Sequence, residues 1–133
     1  ESVLRSAIED AWDPLLVELY GEVRGNHSAE QLEAAEGWLP SHADEPKLLL
    51  TVARLAMRAG QDAKARNHLE KCLSMHGPVE AFHEMGNLLE RLGEKDKALD
   101  YYRHGLEKYA SELRSTQMRS GLRLPISRYR AAR

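Results

Sequence analysis

Two glycines, Gly60 and Gly93, stand 33 residues apart. Sliding the chain along itself by that interval sets Ala65 on Ala98, Leu69 on Tyr102, Cys72 on Gly105 and Leu73 on Leu106. A period of this length restricts the fold more than any other feature. Each copy is a supersecondary unit that cannot bury its apolar stripe alone, so copies must stack and share one continuous core. The spacing predicts stacked units at residues 46–78 and 79–111. Because about three units are the usual minimum, residues 12–45 are assigned a degenerate copy on Leu15, Leu19, Ala35, Trp38 and Leu39, with Asn26 at its turn. Residues 2–11 are expected to be the second helix of a truncated earlier unit, and residues 107–120 a helix extension or cap.

The units are predicted to be helical. Eight aromatic residues in 133, with Ala, Leu, Glu and Arg abundant, disfavour a β-sandwich or barrel. Asp13-Pro14 and Pro46 read as helix starts, since a proline at the first helical position loses no hydrogen bond. Ser28 with Gln31 fits a capping box, and that helix is expected to stop at Pro40. Asp62 is expected to cap a fifth helix that ends at Gly77-Pro78. Residues 79–92 form the next, with Phe82, Met85, Leu88 and Leu89 inward. From Lys95 a last helix sets Ala98, Leu99, Tyr102, Leu106, Tyr109 and Leu113 at helical spacing.

About seven helices in one domain, residues 1–120, followed by a flexible basic tail at 121–133, fit this length. Charge is graded along the chain: residues 1–46 carry net −9, residues 47–109 net +2 and residues 110–133 net +5. That layout suits a mixed protein-binding surface better than a nucleic-acid binder, and no nucleic-acid partner is expected. In the tail, Arg123, Arg128, Arg130 and Arg133 alternate with Leu122, Leu124, Ile126 and Tyr129; such termini are commonly frayed and solvated. No run approaches the ~18 apolar residues of a membrane span, which predicts a soluble piece. A start at Glu1 rather than Met suggests a processed or excised chain.

In the later copy, Phe82-x-x-Met85-Gly86-x-x-Leu89, then Gly93, then Ala98-x-x-x-Tyr102-x-x-Gly105 follows a large-large-small-large-turn-small-large-small pattern. It resembles the tetratricopeptide repeat. Leu49, Val52, Ala53, Ala56, Gly60, Ala65, Leu69 and Cys72 form a looser copy. The resemblance implies an all-α fold, with antiparallel helix hairpins stacked as a short right-handed α-solenoid. The small residues are expected to let paired helices approach, with Gly86 or Ala53 facing Ala98 or Ala65.

In such arrays the first helix of each pair lines a concave groove. The outward positions come out as Asp13, Leu16, Val17 and Tyr20; Lys47, Leu50, Thr51, Arg54 and Arg58; and Glu80, His83, Glu84, Asn87 and Arg91. Arg54 and Asn87 together have the donors to grip a carboxylate or a peptide backbone, although charged helix faces are most often just solvated. A clamp for a chaperone's C-terminal carboxylate is not expected, because Leu50, His83 and Glu84 occupy its positions. Cys72 and His76, with His68 a turn earlier, have the spacing of metal or haem ligands on a helix. Against that, Cys72 holds a repeat position that calls for a small packed residue. One cysteine excludes a disulfide framework and a Cys-rich zinc site. No catalytic motif occurs, so no enzyme and no resident cofactor are predicted.

Ala35-Glu36-Gly37-Trp38-Leu39, the Leu48-Leu49-Leu50 to Arg54-Leu55 junction, Lys64-Ala65-Arg66 to Leu73, and Leu88 to Leu106 resemble the C-terminal region of bacterial HemY proteins. Gln61-Asp62 and Ala43 depart from that pattern. The resemblance implies a soluble domain of an inner-membrane protein, on the cytoplasmic side, linked to late haem or porphyrin metabolism. It implies no catalytic residues, and haem-pathway enzymes as partners of a protein-interaction scaffold. Direct haem or porphyrin handling is the alternative.

Overall fold

A computed structural model describes residues 1–25 and 27–121. Among them are seven helices and no strand: α1 (Ser2–Asp10), α2 (Pro14–Glu22), α3 (Ser28–His42), α4 (Pro46–Arg58), α5 (Asp62–Ser74), α6 (Glu80–Arg91) and α7 (Lys95–Ser120). The architecture is a tetratricopeptide-like α-solenoid. Helices α4 and α5 close on one another, as do α6 and α7; α4 also packs on α2 and α3, and α6 packs on α5 and α4. The core runs through the stack without a break, from Ile8 and Tyr20 through Leu49, Leu55 and Leu69 to Leu88 and Ala98.

The two later units share their local construction. Gly60 and Gly93 both adopt the left-handed conformation, at φ 75° and 84°. The Gln61 and Glu94 amides donate to the Ala56 and Leu89 carbonyls, each at 2.8 Å. These equivalent bonds close the helix ends in a Schellman motif, where glycine escapes the steric cost of positive φ. Helix α5 ends likewise, with Gly77 donating to the Cys72 carbonyl at 3.0 Å, but here His76 takes the left-handed position at φ 53°.

Close approach is achieved by reciprocal covering. A Cβ on Gly86 would stand 2.3 Å from the Tyr102 ring, and one on Gly105 would stand 2.9 Å from Phe82. Gly86 therefore lies under the Tyr102 ring. The first unit is built differently: α2 and α3 lean on α4 more than on one another. Bulky groups fill the space between them, with Tyr20 set edge-on to Trp38 at 5.1 Å and Trp38 edge-on to Trp12 at 6.0 Å.

Three helix-end expectations are corrected. Ser28 and Gln31 form no capping box: His27 is the N-cap without a side-chain bond. The Gln31 amide is buried instead and donates to the carbonyls of Val23 at 2.9 Å and Tyr20 at 3.3 Å. Pro40 does not stop α3, which runs to His42; in the last turn a missing amide donor costs only one hydrogen bond. Asp62 is the first residue of α5 rather than its cap, and it pairs with Arg91. Asp13 caps α2 as expected, accepting from the Leu15 amide at 2.9 Å. Asn26 and residues 122–133, which include the tail's arginines from Arg123 on, lie outside the described residues.

Candidate functional site

The predicted groove residues do not share one fate. Leu50 and Thr51 are fully buried, as are Val17 and Tyr20. Because α2 lies against α4, Thr51 donates to the Val17 carbonyl at 3.0 Å, and a Cβ on Gly21 would stand 3.1 Å from Thr51. These four hold helices together and are removed from the groove. Lys47 pairs with Glu18 at 3.4 Å. Glu80 and His83 are exposed.

Arg54 and Asn87 are both engaged within the chain. The Arg54 side chain is 14% exposed; its Nε donates to Glu84 at 3.2 Å, and its Nη1 stands 3.9 Å from Glu22. That distance is beyond hydrogen-bond range, and Nη1 is buried without an acceptor, a state that costs roughly 1–3 kcal/mol. Asn87 accepts from the Tyr102 hydroxyl at 2.7 Å and meets the His83 ring at 3.3 Å. The tyrosine ring that seals Gly86 is thereby held in place.

Arg58 and Arg91 have a further role. Arg58, the last residue of α4, donates to the carbonyls of Gly21 and, at 3.0 Å, Val23 at the end of α2. Arg91, the last of α6, donates to the Met57 carbonyl near the end of α4 at 3.3 Å and pairs with Asp62. Both cap the C-terminal carbonyls of the preceding first helix, where positive charge is favoured.

Two clefts result. The first, of about 410 Å³, is lined by Gly21, Glu22, Arg24, Arg54, Arg58 and Glu84 among others. Burial, followed by the positive charges of Arg24 and Arg54, holds the Arg58 guanidinium below its usual pKa. The second, of about 430 Å³, is lined mainly by apolar groups from Val79, His83, Tyr102, Leu106 and Tyr109, and Arg54 borders it as well. Leu106 is 70% exposed and Tyr109 52%. Leu99, Leu106 and Tyr109, which the sequence sets at helical spacing on α7, are exposed, and no described helix covers them. Sequence reasoning passed over Arg24, whose only sequence signal is its place just past the end of α2.

Cys72 and His76, whose spacing could have suited haem ligands, have different surroundings, the first buried and the second exposed. Helix α5 ends at Ser74, so His76 falls in the turn and does not continue the face that carries Cys72. Cys72 is buried, its thiol donates to the Pro46 carbonyl at 3.3 Å, and burial pushes its pKa up to about 11. It packs as a small apolar residue, because Gly77 lies directly over its sulfur. Burial lowers the pKa of half-buried His68. Among the described residues no three His, Cys, Asp or Glu side chains are grouped to hold a metal ion, and no helix is long and apolar enough to cross a membrane.

No curated protein and no solved structure matches the chain. Residues 79–107 match the family model of the tetratricopeptide repeat. That span takes in α6 and the first half of α7, and repeats of this kind generally mediate protein–protein interaction as non-catalytic scaffolds. The hairpin that carries the apolar cleft is thus a tetratricopeptide repeat.

Proposed function

We propose that the chain is a non-catalytic interaction module that docks a segment of another protein across the two clefts that meet at Arg54. The observation that carries this reading is the exposed apolar lining of the second cleft, at Leu106 and Tyr109, on a repeat of an interaction family. Exposed apolar side chains gathered beside a charged rim have the make-up of a docking surface. On the HemY resemblance alone, the parent protein is assigned to the cytoplasmic side of a bacterial inner membrane, with enzymes of late haem or porphyrin metabolism as partners. Haem handling through Cys72 and His76 has no structural observation in its favour.

The test is capture from a bacterial membrane extract, with wild type beside Leu106→Ser/Tyr109→Ser. Both side chains are exposed, so the double variant is expected to melt as the wild type does while losing most of the captured proteins. An unchanged set overturns the docking surface. Titrating haem into the same protein tests the alternative: a Soret shift abolished by His76→Ala would restore it.

A further inference from the structure

Resting on the docking reading above and naming an occupant for the second cleft, we propose that the open face of α7 pairs with α7 of a second copy of this chain, the two helices antiparallel. Leu99, Leu106 and Leu113 stand seven residues apart, and Tyr102, Tyr109 and Thr116 each follow three residues later. This is the spacing of a two-helix seam, about 21 Å long from Leu99 to Leu113. Leu99, Leu106 and Tyr109 are exposed, and Tyr102 lines the same cleft.

The helix also outruns its support. Its counterpart α5 ends at Ser74, which corresponds to Glu107, yet α7 continues to Ser120. Among the described residues α6 is the one helix that packs extensively on α7, and near its start Phe82 already lies over Gly105. A helical stretch as short as the remainder is marginal in water unless something covers its apolar side.

Charges beside the seam point to the occupant. With Leu106 on the partner's Tyr109 and Tyr102 on the partner's Leu113, Arg103 falls opposite the partner's Ala110, and Glu112 opposite the partner's Gly105. No like charges meet across the seam. Sliding one helix by seven residues in one direction sets Arg103 against the partner's Arg103; sliding it the other way sets Glu112 against the partner's Glu112. Flanking charges of this kind fix partner and register in paired helices. The face is therefore complementary to its own copy in one alignment, as a twofold interface requires.

Sedimentation equilibrium of the full chain should show monomer and dimer with no larger species. Leu106→Glu should raise the dimer Kd by about a hundredfold, roughly tenfold for each of the two copies that carry it, and the exposed position should leave the helical circular dichroism spectrum unchanged. Oxidation reads the orientation: mixed Leu99→Cys and Thr116→Cys chains should form a disulfide-linked dimer, and neither variant should crosslink alone. Buried Cys72 is out of reach. A chain that stays monomeric at every concentration, a Leu106→Glu dimer as tight as the wild type, or a crosslink formed by either cysteine variant alone overturns the proposal. If the chain is monomeric while Leu106→Ser/Tyr109→Ser still loses its captured proteins, the docking surface stands and the self-pairing falls; if the dimer forms and the captured set is unchanged, the pairing stands and the docking of other proteins falls.

Discussion

Residues 46–78 and 79–111 carry the same turn glycine, the same Schellman bonds and the same terminal arginine, yet one unit is enclosed and the other open. Leu50, Leu69 and Cys72 are fully buried, in the unit whose helices α4 and α5 both meet α6. Their counterparts 33 residues on, His83, Tyr102 and Gly105, line the open apolar cleft. The repeat thus specifies the hairpin, while the neighbour decides whether a given face is core or surface. An exposed apolar face arises here with no new backbone geometry.

Paired substitutions press hardest on this contrast. Leu50→Ala should cost about 2–5 kcal/mol of stability, the price of a cavity in a closed core. His83→Ala, at the matching position, should stay within about 0.5 kcal/mol, as exposed sites do; urea unfolding measures both. Equal losses would mean that the two faces are not different in kind. Gly86→Ala comes next, at about 1–3 kcal/mol, because a methyl group must displace the Tyr102 ring. If the melting temperature holds, the hairpin is looser than the geometry indicates. The smallest effect separates the helix ends. Gly60 and Gly93 adopt positive φ freely, whereas His76 does so at a steric cost, so His76→Gly should stabilise the chain by about 0.5–1 kcal/mol. A loss of stability on that change would show that the histidine side chain has a structural role.

Much of the fold was legible because turn glycines and proline starts act locally. The φ of Gly60 and Gly93 and the Asp13 cap follow from residues within a turn of one another. Gln31 was misread because distant carbonyls, those of Tyr20 and Val23, claimed an amide that local rules assign to a cap. Leu50 and Thr51 were placed in the groove by the motif's register, which cannot register how closely α2 lies on α4. The stripe on α7 was read correctly as apolar, but amphipathic spacing reports only that a face repels water. It does not supply the helix to cover it. Cys72 was weighed as a ligand on spacing alone; the spacing assumed that α5 continues to His76, and the turn before it breaks that face.

Arg58 and Arg91 act as rivets, each fastening the tip of one first helix to the tip of the one before. Tips fastened this way cannot fan apart without also uncapping carbonyls, so the relative tilt of the first helices is imposed at each step of the stack and does not depend on the array as a whole. A partner would then meet a jig of fixed bend, already shaped before it arrives.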